Sequence, residues 1–317
     1  MISVLKPGVL TTIQDLGRSG FRAFGMPMAG AMDVRSHSIA NLLAGNAPEG
    51  ASLEMTLLGG TFRFDRAAYV ALAGADMQPK LDGVPMAMWS AFPVDTGSVL
   101  ALGSATDGCR TYLAVHGGID VPAVLGSRST YVRAAVGGLA GRALAAGDSL
   151  PLRDSSTARL RARVLPSDLA PPRRRQLSLR ALIGPQDERF TAEGMATFLE
   201  SAYTVTNRND RMGYALEGPT IHHADGPDIV SDGLLPGAVQ VPGSGMPIVL
   251  MADCQTTGGY AKIAAVIGPD LSELAQARRG DTVRFRRCTM EQAVGARRAE
   301  REQLRAIANR LESGATR

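Results

Sequence analysis

The residues of this chain best able to do chemistry concentrate in one short stretch, DCQTTGGYAK at positions 253–262. It lies between two apolar runs typical of buried strands, PIVLMA and IAAVIG. Carboxylate, amide and hydroxyl groups of this kind suit recognition of a small polar substrate with amide character. A strand carrying Gln240 would bring a further amide to the same place if the two strands pair. We assign catalytic roles to Asp253, Gln255 and Lys262, with Asp253 as a base or an orienting acceptor.

Two adjacent glycines in this stretch predict a binding loop. Gly258 and Gly259 can adopt positive φ, and a tight turn there would bring backbone N–H groups against a ligand carbonyl or carboxylate. Around this turn we assign substrate-binding roles to Gln240, Thr256, Thr257, Gly258, Gly259 and Tyr260. The alternative is an ordinary hairpin, in which the glycines only turn the chain and the threonines only favour strand structure.

A second candidate segment is TTIQDLGRSGFRAFGMPMAGAMD at positions 11–33. Its glycines would let backbone N–H groups approach an anion or a planar ligand, and an arginine can hold a carboxylate or phosphate through two hydrogen bonds. We assign substrate-binding roles to Gln14, Asp15 and Arg18. The alternative is a structural turn in which Asp15 and Arg18 pair with each other.

A third candidate is the hydroxyl-rich loop GSRSTY at positions 126–131. Arg128 and Ser129 could bind an oxyanion, and both are assigned to substrate binding. The same hydroxyl groups could instead only cap the adjoining strand and turn. The oxyanion hypothesis therefore needs another segment to join this loop.

A fourth candidate is the segment TNRNDRMGYALEG at positions 206–218, which is dense in hydrogen-bonding side chains. Such a segment can line a polar cleft, and Arg211 and Tyr214 are assigned to substrate binding on that basis. A solvated loop would have a similar composition. Spacing alone leaves open whether the arginines of these segments form the charged wall of one cleft.

Several common catalytic and cofactor motifs are missing from the sequence. It has no G-x-x-x-x-G-K-[ST] phosphate loop, no H-E-x-x-H and no G-x-S-x-G. It also has no Ala-Met-Lys-Met biotin acceptor, so we expect that biotin is not carried by this chain. The three cysteines are widely spaced and the four histidines scattered, which predicts buried free thiols and no metal site.

Composition indicates a globular protein of ordinary kind. Hydrophobic residues make up 45% and charged residues 20% of the 317 positions. The net charge is +4, but the basic residues form no face interleaved with aromatics, so nucleic acid is not expected as a partner. No apolar run is long enough to span a membrane and the beginning does not resemble a secretory signal, so we expect a cytoplasmic location.

The elements that must position these residues are mostly short strands. Apolar segments of strand length recur between turn signals, which favours barrels or sandwiches over a doubly wound sheet. Only MDVRSHSIANLLAG, ended by Gly45, and the tail predict sizeable helices. The sequence predicts two related β-rich halves. Each half closes with a Gly-Asp turn that leads into an alternating strand, AGDSLPL at 146–152 and RGDTVRF at 279–285. The predicted domains are 1–152 and 179–288, with a linker at 153–178 and a helix at 289–317.

Long stretches of the chain resemble one family, that of the biotin-dependent carboxyltransferases or allophanate hydrolase subunit 2. The resemblance extends over roughly residues 1–290. It rests on PGVLTTIQDLGRSGF, LAVHGGIDVPAVLGSRSTY, GGLAGRALAAGD, RMGYALEGP and DIVSDGLLPGAVQVPGSGMPIVLMADCQTTGGYAKIAAVIGPDLSELAQARRGD. It implies a mainly β protein of tandem cyclophilin-like barrels.

The resemblance also implies an activity and partners. Family members include the C subunit of the bacterial ATP-dependent 5-oxoprolinase, so the expected partners are homologues of the A and B subunits of that enzyme. ATP with Mg is then expected at the level of the complex. Two alternatives remain open: a carboxyltransferase that uses biotin on a separate carrier to carboxylate a small amide such as urea, and a regulatory protein that binds a sensor-kinase inhibitor.

Overall fold

The computed structural model describes residues 1–154 and 160–312. The chain divides into two compact units. Unit 1 consists of Met1–Arg18, Ala29–Arg173 and the chain from Glu302 onwards. Unit 2 consists of Ser19–Met28 and Arg174–Arg301. Each unit therefore contains a segment that is remote in sequence from the rest of it.

Unit 1 is built from two six-stranded sheets. The strands are β1 Ile2–Lys6, β2 Leu10–Gln14, β3 Ser52–Thr56, β4 Thr61–Phe64, β5 Ala68–Asp76, β6 Lys80–Leu81, β7 Val84–Pro85, β8 Ser90–Val94, β9 Val99–Ala101, β10 Asp107–Val115, β11 Ser149–Leu150 and β12 Arg163–Val164. The strand order is β11-β1-β4-β9-β6-β7 in the first sheet and β12-β8-β5-β10-β3-β2 in the second.

Strand β5 shows why the second sheet lies in the middle of unit 1. Its residues are buried on both faces, so AYVALAGA is apolar throughout instead of alternating. Val70 and Leu72 pack in one apolar cluster with the first sheet. Tyr69 and Ala71 pack in a second cluster, against the other face.

Helix α1, Val34–Leu43, covers that second face. It begins at Asp33, whose carboxylate accepts a hydrogen bond from the backbone N–H of Ser36 at 2.9 Å. It ends before Gly45, which adopts a φ of +75° that side chains disfavour. The helix and its glycine stop agree with the prediction from sequence.

Unit 2 is a closed seven-stranded barrel with a separate two-stranded ribbon. The strands are β13 Gln176–Ile183, β14 Tyr203–Asn209, β15 Gly213–Glu217, β16 Asp228–Gly233, β17 Ala238–Gln240, β18 Ile248–Leu250, β19 Thr257–Tyr260, β20 Lys262–Val266 and β21 Thr282–Arg287. The barrel order is β13-β20-β17-β18-β15-β14-β21, and β13 and β21 pair in parallel. The ribbon consists of β16 and β19.

Three more α-helices follow in the chain: α2 Ala192–Glu200, α3 Gly268–Leu274 and α4 Met290–Glu312. Single 3-10 turns occur at Arg22–Phe24, Val132–Ala134 and Asp187–Arg189. Helix α4 was expected, and positions 313–317 of the predicted tail lie outside the described residues. Over the described ranges, no helix combines the length and apolar character needed to cross a membrane.

The mainly β fold class is confirmed, while two expectations about local structure were wrong. Helix α2 was not predicted, although its Phe198 is fully buried and stacks on Phe285 with ring centroids 4.4 Å apart. The predicted linker at 153–178 includes Gln176–Ser178, which already belong to β13. Part of that linker, residues 155–159, lies outside the described residues.

Candidate functional site

A cleft of about 490 Å³ lies on the outer surface of the unit 2 barrel. Side-chain alternation along the strands forms it, since Tyr214 and Val249 are buried in the barrel while their neighbours line the cleft. Most of its lining surface is apolar, and several polar side chains lie among the apolar ones. The lining residues are Arg208, Asp210, Met212, Gly213, Ala215, Gln240, Pro242, Ser244, Met246, Ile248, Leu250, Gln255 and Tyr260.

Gln240 is the most buried polar group of the cleft, with 3% of its surface exposed. Its Nε2 donates a hydrogen bond to the carbonyl of Tyr260 at 3.3 Å. The described part of the chain offers its side chain no other hydrogen-bond partner. Gln255 and Tyr260, both exposed, stand beside it along the cleft. Three predicted site residues are thus brought together here.

Gly258 and Gly259 do not form the predicted turn. They lie within β19, paired with the ribbon strand β16, and neither has a positive φ. Gly258 passes close to two side chains: a Cβ there would lie 2.7 Å from Leu234 Cδ1 and 3.0 Å from Gln240 Nε2. The small residue therefore lets the ribbon approach the Gln240 side chain. Thr257 and Thr256 lie in the ribbon and just before it, and neither lines the cleft.

Asp253 and Arg211 form a buried ion pair. Arg211 donates from Nε and Nη2 to the two carboxylate oxygens of Asp253 at 2.9 Å and 2.8 Å. The backbone N–H of Asp253 also donates to the carbonyl of Arg211 at 2.8 Å. The pair fixes the loop that carries Gln255, so Asp253 has a structural role. The catalytic role assigned to it remains a prediction.

Lys262 is 5% exposed and holds the ribbon onto the barrel. Its Nζ donates to Asp232 Oδ2 at 2.6 Å and to the Gly233 carbonyl at 3.3 Å. Hydrogen bonds from Lys262 and the Gly233 N–H lower the pKa of Asp232 below its ordinary value. Gln186 donates to the same carboxylate at 3.3 Å. Asp232 and Gln186 were not predicted, because no spacing in the sequence links them to Lys262.

Arg22 was also missed. It belongs to the segment Ser19–Met28 that groups with unit 2. Its Nη2 donates to the carbonyl of Leu234 and to that of Gln255 at 3.2 Å. The side chain thereby ties the chain just after β16 to the loop that carries Gln255. Arg18 was predicted instead, and only the folded structure distinguishes the two arginines.

The predicted residues of unit 1 form a separate buried network. Asp15 accepts hydrogen bonds from the hydroxyl groups of Ser127 and Ser129, both at 2.6 Å, and from the N–H of Arg128 at 2.5 Å. Burial alone would raise the pKa of Asp15, but these hydrogen bonds, with one from the Gly17 N–H, lower it below its ordinary value. Segments 11–33 and 126–131 are therefore joined.

Gln14 and Arg18 extend this network. Gln14 Nε2 donates to Thr12 Oγ1 at 2.9 Å and to the Thr130 carbonyl at 3.1 Å. Arg18 donates to the carbonyl of Ser129. Gln14, Asp15, Arg18 and Ser129 are all buried inside unit 1. The substrate-binding roles assigned to them remain predictions, and the structure gives each of them a partner inside the fold.

The chain matches a known class of domain. Residues 24–287 match the family described as the carboxyltransferase domain, subdomains A and B. The chain belongs to the carboxyltransferase domain family.

Two curated relatives match almost end to end. The chain is 40% identical to the C subunit of 5-oxoprolinase from Escherichia coli over 313 residues, covering 98% of this chain and 99% of that protein. It is 37% identical to the C subunit of 5-oxoprolinase from Haemophilus influenzae, covering 94% of each. Among solved structures, the urea amidolyase of K. lactis superimposes with a TM-score of 0.91 at 29% identity over 96% of this chain. This chain spans only 20% of that structure.

Proposed function

We propose that this chain is the C subunit of an ATP-dependent 5-oxoprolinase, which opens the lactam of 5-oxo-L-proline to L-glutamate together with A and B subunits. The single observation that supports this most is the 40% identity to the C subunit of a 5-oxoprolinase over practically the whole of both chains. The reaction is the hydrolysis of a cyclic amide C–N bond with hydrolysis of ATP, and we assign it to the complex.

The unit 2 cleft is suited to such a lactam. A side-chain amide can donate to the lactam oxygen and accept from its N–H, and the cleft presents two, Gln240 and Gln255. Arg208 stands at the same cleft with no carboxylate partner among the described residues, so its guanidinium is available to the substrate carboxylate. Asp253 acts through Arg211 to hold the loop, and Lys262 acts through Asp232 to hold the ribbon.

The lining of the cleft does not identify an Mg-ATP site. In the described part of the chain one carboxylate, Asp210, lines it, and the sequence has no phosphate-binding loop of the G-x-x-x-x-G-K-[ST] type. We therefore assign no step of the ATP chemistry to this chain. In the proposed complex that chemistry belongs to the other subunits.

A second candidate function is supported by the size and character of the cleft. A volume of about 490 Å³ with a mostly apolar lining is ample for a ligand larger than one lactam ring. A biotinyl group on a separate carrier protein would fill more of it, as a carboxyltransferase acting on urea or a similar amide requires. The likeness to a urea amidolyase structure agrees with this alternative.

Replacing Gln240 by leucine tests the role of the cleft. In the assembled complex we expect kcat/KM for 5-oxoproline to fall at least about tenfold, because one buried hydrogen bond worth about 1.4 kcal/mol is lost. Gln255→Leu should act in the same direction. The matched control is Gln303→Leu on helix α4, where the side chain is exposed. Unchanged turnover in Gln240→Leu would remove the cleft from the reaction while leaving the 5-oxoprolinase assignment standing.

A further inference from the structure

Unit 1 contains a smaller cavity of about 190 Å³, and Arg128, which was assigned to substrate binding from sequence, lies at its lining. Its walls are two turns, one after helix α1 and one after strand β10. Two arginines, Arg128 and Arg153, stand at its lining, and no carboxylate does within the described residues. The lining residues are Asn46, Ala47, Gly50, Ala51, Gly117, Gly118, Ile119, Arg128 and Arg153.

Asn46 makes the walls of this cavity rigid. Its Nδ2 donates to the carbonyl of Val115 at 2.8 Å and to Asn41 Oδ1 at 3.1 Å. Its Oδ1 accepts from the N–H of Gly117 at 3.0 Å. One side chain thus joins the turn after α1 to the turn after β10. The cavity is held open by hydrogen bonds that already exist in the folded chain.

Arg128 is held at its backbone N–H and at its side-chain Nε. Its backbone N–H donates to Asp15, and its Nε donates to the carbonyl of Val121 at 2.9 Å. In the part of the chain that the structure describes, neither terminal nitrogen has a hydrogen bond or an ion pair. A half-buried guanidinium oriented in this way presents two N–H donors side by side, the geometry that a carboxylate or phosphate accepts.

Arg153 supplies the second positive charge. Its Nε lies 3.3 Å from Asp120 Oδ1, and the two side chains are 48% and 56% exposed. Ion pairs that exposed are worth little, so Asp120 competes weakly with an anion in the cavity. Asp15 approaches Arg128 only at the backbone, and its charge is already met by four hydrogen bonds.

We propose that this cavity binds a small oxyanion, a phosphate or a carboxylate, at a site of unit 1 separate from the unit 2 cleft. Liquid water occupies about 30 Å³ per molecule, so the cavity admits an anion of this size with a few waters. The inference does not depend on the proposed function, since it rests on Arg128, Arg153 and the walls of the cavity. A 5-oxoprolinase complex would offer both kinds of anion.

Titration calorimetry of the full chain at constant ionic strength tests the site. The probes are inorganic phosphate and acetate, each titrated separately, because neither carries the lactam that the unit 2 cleft is proposed to bind. We expect one saturable site of millimolar affinity for at least one probe. Tighter binding of phosphate identifies the site as a phosphate site, and tighter binding of acetate identifies it as a carboxylate site.

Substitutions locate the binding. Arg128→Met and Arg153→Met should each weaken it at least about tenfold, since each removes a charge-assisted contact. Arg153 is exposed, so its variant remains informative if Arg128→Met disturbs the loop. The matched control is Arg305→Met, which removes an exposed arginine of helix α4 that lines neither cavity and should leave the affinity unchanged. Absence of saturable binding with every probe, or loss of binding in Arg305→Met alone, would overturn the proposal.

Discussion

Arg211→Met is expected to lower the free energy of unfolding by about 3–5 kcal/mol, because it leaves the Asp253 carboxylate buried without its guanidinium. Both side chains of the pair are 7% exposed, and two hydrogen bonds join them. A charge isolated in this way keeps almost all of its desolvation penalty. Urea unfolding of the wild type and the variant, followed by circular dichroism, measures the difference.

A double variant and a surface control make this result specific. Arg211→Met combined with Asp253→Asn should recover part of the loss, since no isolated charge is left. Arg310→Met removes an arginine from an exposed pair with Asp168 and should cost less than about 1 kcal/mol. A loss in Arg211→Met no larger than in Arg310→Met would mean that the buried pair does not fix the loop.

His37 is expected to make the protein lose about 3 kcal/mol of stability as the pH falls from about 6.5 to 4. The side chain is fully buried, and burial lowers its pKa from 6.5 to about 4 despite the nearby carboxylates of Asp15, Glu54 and Asp33. Because the folded form binds the proton less tightly than the unfolded form, protonation over this interval favours unfolding. Neutral His37 contacts Ser52 Oγ through Nδ1 at 2.9 Å.

The unfolding midpoint measured across this pH range tests the assignment. His37→Gln removes the titrating group and should flatten the pH dependence, whatever its effect at neutral pH. His222→Gln replaces an exposed histidine and should leave the dependence as in the wild type. The carboxylate of Asp15, with its lowered pKa, loses its contribution mainly below about pH 4. Equal slopes in the wild type and His37→Gln would contradict the assignment to His37.

The sequence was sufficient for the fold class because the strands carry their signal locally. Short apolar runs and turn residues predict a mainly β protein, and Asp33 and Gly45 bound helix α1. Helix α2 was not predicted because Gly194 weakens its helical pattern. A Cβ at Gly194 would lie 2.3 Å from the carbonyl oxygen of His222. A tertiary contact therefore requires glycine at this position, although glycine weakens the helical pattern of the sequence.

The candidate site was only partly predictable for a similar reason. Gln240 and Gln255 do meet at one cleft, as strand pairing suggested. Gly258 was wrongly predicted to lie in a turn. It lies in β19, which pairs with β16, and the register that places Asp232 opposite Gly258 cannot be read from the sequence near either residue. Arg22 reaches the loop that carries Gln255 across more than two hundred positions of sequence, which no local pattern records.

Glutamate release from 5-oxo-L-proline by this chain, combined with homologues of the A and B subunits of 5-oxoprolinase, tests the central claim most directly. We expect ATP-dependent turnover in the three-component mixture, and none when this chain is omitted or is present alone. No turnover in that mixture, together with transfer of a carboxyl group from carboxybiotin to urea, would contradict the 5-oxoprolinase assignment in favour of a carboxyltransferase.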